Sequence, residues 1–199
     1  MGKAGTVRTR IPVRTVLSLI GVEKLAVVKE QEMPDGRFPT TPYPNPEFQQ
    51  AFELAIEMSK SDPADLLLAT DPDCDRVGIA VRENGEYTLM TGNEVGSLLL
   101  DYLLSQKAAN GTLPKNPVAI KTIVTSDLAA AVAKSYGCEM REVLTGFKYI
   151  GEQIGLLEKD SEADRYILGF EESYGYLSGS YVRDKDAVVA AMLICEMAA

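Results

Sequence analysis

Leu66-Leu67-Leu68-Ala69-Thr70-Asp71-Pro72-Asp73-Cys74-Asp75-Arg76-Val77-Gly78-Ile79-Ala80-Val81 decides how the rest of the chain is read. Two apolar runs flank an acidic stretch in which every second residue is Asp. An extended backbone sends residues i, i+2 and i+4 to one side. The spacing therefore aims Asp71, Asp73 and Asp75 at a single point. Three carboxylates that close do not all stay ionised without a cation to offset them. A hard, oxygen-seeking ion suits them, Mg²⁺ above others. A solvated acidic turn is the plainer alternative, since Asp and Pro cluster in turns. A turn needs one or two such residues, not a strict alternation that runs into Arg76 and a second strand.

Working outward, strands and helices alternate. The sequence predicts a helix over 11–20 stopped by Gly21, a short strand at Leu25–Val28, and a long irregular piece from Gln31 to Asn45. Asn45-Pro46 has the chemistry of a helix start, and Asp62-Pro63 that of a stop. Asn84-Gly85 is a hairpin tip between Val77–Val81 and Tyr87–Met90. Thr91 and Glu94 form a capping box for the next helix, with Val95, Leu98, Leu99 and Tyr102 inward. Beyond it come strands at 118–124, 138–143 and 166–170. Ser126 caps one intervening helix, with Leu128, Ala131, Val132 and Tyr136 inward. Phe147, Ile150, Ile154 and Leu157 form the face of another, and Asp184 is expected to cap a last apolar helix. The alternation predicts an α/β fold: two consecutive three-layer α/β domains with mainly parallel mixed sheets, divided into residues 1–88 and 89–199. Residues 1–10 read as a loop that begins mid-fold, and the last helix runs to Ala199 without a cap. The chain is therefore expected to be a piece of a longer protein.

Bulk composition narrows the function. Of 199 residues, 25% are charged and the net charge is −9, with no basic cluster. Nucleic acid and anionic membrane surfaces are poor partners for such a chain. No apolar run reaches a membrane span. The three cysteines are far apart, which fits neither a zinc site nor a disulfide framework and suits a reducing cytoplasm. His is absent, which excludes His-based acid/base chemistry within the chain.

Three further stretches follow predicted strands, where ligands bind in α/β sheets. Thr145-Gly146-Phe147-Lys148 joins a strand end to a helix start, suited to an anion or equally to a plain tight turn. Glu171 and Ser173 in Phe170-Glu171-Glu172-Ser173-Tyr174-Gly175 would face one way if extended, a carboxylate and a hydroxyl for vicinal sugar hydroxyls, although two exposed acids in a loop are the plainer local reading. Lys185, near the start of the last helix, suits a phosphate or, as such charge clusters more often do, plain solvent. Arg76 either neutralises its Asp neighbours or holds a phosphate beside the metal.

Taken in order, these motifs resemble the α-D-phosphohexomutases. Asp71–Arg76 is similar to that family's metal loop, and Phe170–Gly175 to its sugar-recognition loop. Thr91-Gly92-Asn93, Thr145–Lys148 and the proline-rich stretch from Pro34 to Glu47 also match. The Glu-Glu-Ser form is closer to the phosphoglucomutase and phosphopentomutase branch. The resemblance covers most of the family's second domain and its third. The phosphoserine loop of the first domain and the phosphate-binding loop of the fourth have no counterpart here, so those domains are the expected partners, with a sugar phosphate as ligand.

The implied activity moves phosphate between C1 and C6 of a hexose, or C5 of a pentose, through a phosphoserine and a bisphosphorylated sugar. Asp71, Asp73 and Asp75 would hold Mg²⁺ with Arg76 in support. Thr145, Gly146, Lys148, Glu171, Ser173 and Lys185 would hold substrate. No catalytic serine is implied within the chain, which is expected to be inactive alone. Rival readings are a calcium loop, a phosphatase with Asp71 as nucleophile, and a non-catalytic sugar-phosphate or metal-binding module. The calcium loop lacks the Gly and Glu it needs, since Arg76 and Arg82 stand there.

Overall fold

The computed structural model describes residues 10–33 and 35–199. The loop expected over residues 1–9, and Pro34 of the proline-rich motif, lie outside the described residues. In chain order the elements are α1 (Arg10–Leu19), α2 (Glu53–Ser61), β1 (Leu66–Thr70), β2 (Val77–Glu83), β3 (Glu86–Met90), α3 (Gly92–Ala109), β4 (Val118–Thr122), α4 (Asp127–Ser135), β5 (Glu139–Val143), α5 (Phe147–Lys159), β6 (Tyr166–Glu171), β7 (Gly175–Leu177) and α6 (Ala187–Ala198). Two compact units divide them: the first ends at Thr91 but also takes Ala187–Ala199, and the second is Gly92–Asp186.

The first unit carries the sheet β1-β2-β3. Its strands pair antiparallel, with Thr70 opposite Val77 and Glu83 opposite Glu86. Sheets expected to be mixed and mainly parallel give way here to purely antiparallel pairing, for a geometric reason. The acidic loop joining β1 to β2 is far too short for the crossover that parallel neighbours need. At the other end of β2, Asn84 and Gly85 both take positive φ, 51° and 90°. That is the two-residue hairpin turn expected from Asn-Gly. On one sheet face Leu67, Ala69 and Ala80 pack with Phe52 and Ala55 from the α2 region and with Val28. α6 packs against β1 and β2, and α1 against α6. β1 is buried along its whole length because neither face is left to water.

Two expected elements of this unit are different in kind. Leu25–Val28 makes only a single bridge at Ala26, not a strand. Its apolar residues serve as a buried connection, with Val28 in the core. Asn45-Pro46 does not open a helix. The Asn45 side chain accepts the Glu47 N–H at 3.0 Å and its carbonyl accepts the Phe48 N–H at 3.1 Å, closing a turn. Cap chemistry is satisfied there by a turn, and the helix begins only at Glu53, leaving Phe48 exposed.

In the second unit the sheet order is β5-β4-β6-β7. β5, β4 and β6 are parallel, and β7 returns antiparallel to β6. This mixed, mainly parallel sheet has helices on both sides. Val118, Ile120, Phe147, Ile150, Ile154 and Leu157 form one core with α5. A register shift between Val118 and Ala119 turns Phe170 to the opposite face, where α3 lies against β6 and α4 against α3. The α5 face is the one expected. On α4 the buried residues are Ala129 and Ala133, while Leu128 is exposed; on α3, Leu98 is exposed as well. Asp184 does not cap α6, which begins three residues later at Ala187.

Candidate functional site

Asp71 follows β1 directly and is almost fully buried, and the acidic loop is built around it. One carboxylate oxygen accepts the N–H groups of Asp75 and Arg76, each at 3.0 Å, and the other accepts Arg76 Nε at 2.8 Å. The Asp71 carbonyl accepts the Cys74 N–H at 3.2 Å. Cys74 closes the turn with φ of 64°. The result brings one oxygen from each of Asp71, Asp73 and Asp75 within 4.8 Å of the others, with Asp71 buried, Asp75 half-buried and Asp73 exposed. Burial, and then the neighbouring Asp75 carboxyl, push the Asp71 carboxyl up to about 6 against the pull of Arg76. That is the electrostatic state of a carboxyl group crowded by another acid, and a cation at the triad would relieve it. The carbonyl of Cys74 also accepts the N–H of Ala187, the first residue of α6, at 3.1 Å.

Glu47 is a neighbour that spacing did not reveal. Its carboxylate lies 3.4 Å from Arg76 Nη1, while Arg76 Nε stays on Asp71. The approach depends on Gly78 in β2. A Cβ at Gly78 would stand 2.5 Å from the Pro46 carbonyl oxygen. The Asn45–Glu47 turn can therefore lie on the strand only because that residue has no side chain.

The second unit gathers its candidate residues at the carboxyl ends of β4, β5 and β6. Glu171, the last residue of β6, is buried and accepts the Gly146 N–H at 2.9 Å. Two stretches singled out separately in the sequence thus meet. Burial pushes the Glu171 carboxyl up, opposed by the Gly146 N–H and the charge of Lys185. Glu171 and Ser173 do not share an extended segment as expected. Glu171 pairs with Gly175 across a hairpin, so Ser173 stands at the tip of a three-residue turn closed by Tyr174 at φ of 69°. β7, only three residues long, carried no periodic signal that could have announced this.

Lys185 threads past Gly175, where a Cβ would collide with its side chain at 2.1 Å. Its ammonium lies 5.3 Å from the centre of the Phe147 ring and 3.0 Å from Asp184. Thr145 is exposed. Lys148 is exposed and turned onto Tyr149, 4.8 Å from the ring centre. Glu172, passed over in the sequence, accepts Thr122 Oγ1 at 2.9 Å and Thr125 Oγ1 at 3.2 Å. The signal that could have found it is a Thr pair just past a strand end.

Two family models match the chain: phosphoglucomutase/phosphomannomutase alpha/beta/alpha domain II over residues 5–85 and domain III over residues 91–199. Among curated relatives, a phosphomannomutase of Mycoplasmoides pirum is 37% identical over 196 residues, 98% of this chain and 34% of that protein. A phosphoglucomutase of Staphylococcus aureus strain USA300 is 40% identical over 192 residues, 96% of this chain and 34% of that protein. The chain thus spans 34% of the length of each. Solved structures share the fold. A phosphoglucomutase/phosphomannomutase family protein from Burkholderia thailandensis superposes with a TM-score of 0.74 at 16% identity, over 99% of this chain and 39% of that one. N-acetylphosphoglucosamine mutase of Aspergillus fumigatus, solved with GlcNAc-6P and magnesium, gives 0.54 at 11% identity, over 98% of this chain and 42% of that one.

Proposed function

Because the chain belongs to the phosphoglucomutase/phosphomannomutase family, we propose that it supplies the metal loop and the sugar-recognition hairpin of a phosphosugar mutase. In this reading, phosphate moves between C1 and C6 of a hexose, or C5 of a pentose, by way of a phosphoserine contributed from outside these 199 residues. The seam at 88–89 between a metal-loop domain and a sugar-recognition domain is part of the proposal, and the two matched spans support it. So is a reducing cytoplasm, in keeping with three free cysteines.

The observation that carries the reading is the aspartate triad. Opposite oxygens on Mg²⁺ stand about 4.2 Å apart, from ligand distances near 2.1 Å. Neighbouring oxygens on the same ion stand about 3 Å apart, so the three oxygens, within 4.8 Å of one another, must draw in to close on one ion. Asp71, Asp73 and Asp75 would hold the ion, whose charge would offset that on a transferring phosphoryl group. Arg76 keeps Asp71 oriented through Nε while Nη1 meets Glu47, and its guanidinium charge would steady a phosphate beside the metal. Glu171 and Ser173 take sugar hydroxyls, and Gly146 fixes the Glu171 carboxylate. Lys185 offers a compact charge to the substrate phosphate. Thr145 and Lys148 line the approach. The magnesium and sugar phosphate held by the Aspergillus fumigatus enzyme support both assignments.

Asp73→Asn tests the triad most cleanly, because Asp73 is exposed and the loop's framework hangs on Asp71. Calorimetric titration with Mg²⁺ is expected to give binding for the unaltered chain and none for Asp73→Asn. Equal affinity in the two overturns the metal assignment. The same preparation is expected to convert no glucose 1-phosphate to glucose 6-phosphate by itself.

A further inference from the structure

We infer that Glu172, wedged between Glu171 and Ser173, is a positioning residue whose carboxylate clamps the sugar-recognition hairpin to the end of β4. The inference rests on the reading of that hairpin as a sugar site, and it concerns what holds the hairpin in place.

Three contacts make the clamp. Thr122 closes β4 and Thr125 follows it, and both are buried. Their hydroxyls lie 2.8 Å apart, and both reach the same Glu172 oxygen. A hydroxyl supplies one proton. Both therefore cannot donate to Glu172 and to each other at once, and the trio shares its protons as one network. Next, the Glu172 carbonyl oxygen lies 2.1 Å from where a Cβ at Gly92 would stand, with the Tyr174 nitrogen at 2.9 Å. The first residue of α3 thus abuts the hairpin backbone and admits no side chain. Finally, Asn93 accepts the Ser126 N–H at 2.8 Å, fixing the β4–α4 connection that carries Thr125.

A three-residue hairpin at the end of a strand has few ways to resist twisting. Here its two acids pull on different anchors. Glu171 reaches Gly146 beyond β5, and Glu172 reaches Thr122 and Thr125 beyond β4. β4 lies between β5 and β6 in the sheet, so the anchors are staggered across the sheet's edge. Losing the Glu172 anchor removes one of these two side-chain ties on the Ser173 tip and leaves Glu171 on Gly146. A pair of Thr→Val substitutions removes the hydroxyls at nearly constant shape, and Glu172→Gln keeps an acceptor oxygen.

Amide hydrogen exchange at Gly146, followed by NMR in the full 199-residue chain, reports the Glu171 anchor without any ligand. In Thr122→Val/Thr125→Val and in Glu172→Leu, Gly146 protection is expected to fall about tenfold, the scale of one lost charge-assisted hydrogen bond. Glu172→Gln is expected to restore it to within about twofold. Unchanged Gly146 protection in the Thr pair, with α5 amides equally protected, overturns the clamp. So does equal loss in Glu172→Gln and Glu172→Leu. The Thr pair decides the matter if Glu172→Leu does not fold. A separate titration with glucose 1-phosphate is expected to shift the Ser173 and Gly146 amides of the unaltered chain. Absence of any shift there overturns the sugar reading, while the exchange result still decides the clamp.

Discussion

Cys74 holds the acidic loop in a backbone conformation that suits glycine better. At φ of 64° an L side chain costs about 1–2 kcal/mol, and the greater freedom of Gly in the unfolded chain returns about 0.4–1 kcal/mol of that. Cys74→Gly is therefore expected to raise the denaturant midpoint slightly, and Cys74→Val to lower it by more. Glu171 yields a prediction in pH. Burial raises its carboxyl, so the fold favours the protonated form. That contribution is fully present below the ordinary Glu range and is lost as pH rises through the raised value. Glu171→Gln escapes the loss, so its melting temperature should gain on the unaltered chain as pH rises from the ordinary Glu range through the raised value. A gap that shrinks with rising pH would contradict the sign. The aspartate triad was legible in sequence because the alternation of one residue type is itself the signal. Spacing to Ser173 singled out Glu171, but not that it faces Gly146 nor that its identical neighbour Glu172 takes a different task, which only the third dimension tells.

At the scale of elements, β2 and the turn at Asn45–Glu47 depend on one another. Gly78→Ala drives a methyl to 2.5 Å from the Pro46 carbonyl, so the turn must lift. The expected cost is about 1–3 kcal/mol by chemical denaturation, as for overpacking elsewhere. Glu47→Gln, which leaves the turn in place, should cost much less, since the Glu47–Arg76 contact is long and partly exposed. Legibility followed the strength of each periodic signal. α5 was read correctly because large residues at 147, 150, 154 and 157 recur at helical spacing. α4 was misread because its buried face is Ala129 and Ala133, and small residues leave little trace in a hydrophobic pattern. The expected start at Asn45 failed because side-chain caps serve turns and helices alike. β7 is too short to alternate.

For the molecule as a whole, the metal and sugar candidates lie in separate units, the triad in the first and the Glu171 hairpin in the second. Ligands that bind only folded protein raise stability by mass action. Mg²⁺ is therefore expected to raise the melting temperature of the unaltered chain and to leave that of Asp73→Asn where it was, by differential scanning calorimetry. The α/β class could be read from rhythm alone, but the share of the chain each unit takes could not, because rhythm says nothing about which sheet a last helix joins. α6 joins the first. The order of synthesis gives that choice a consequence. As the chain leaves the ribosome, residues 92–186 have everything their own core requires before the final helix emerges. The first unit, begun earlier, must wait with one face of β1 and β2 uncovered until residues 187–198 arrive. During that interval the newborn chain displays Leu66, Leu68 and Ile79, and a chaperone would find something to hold.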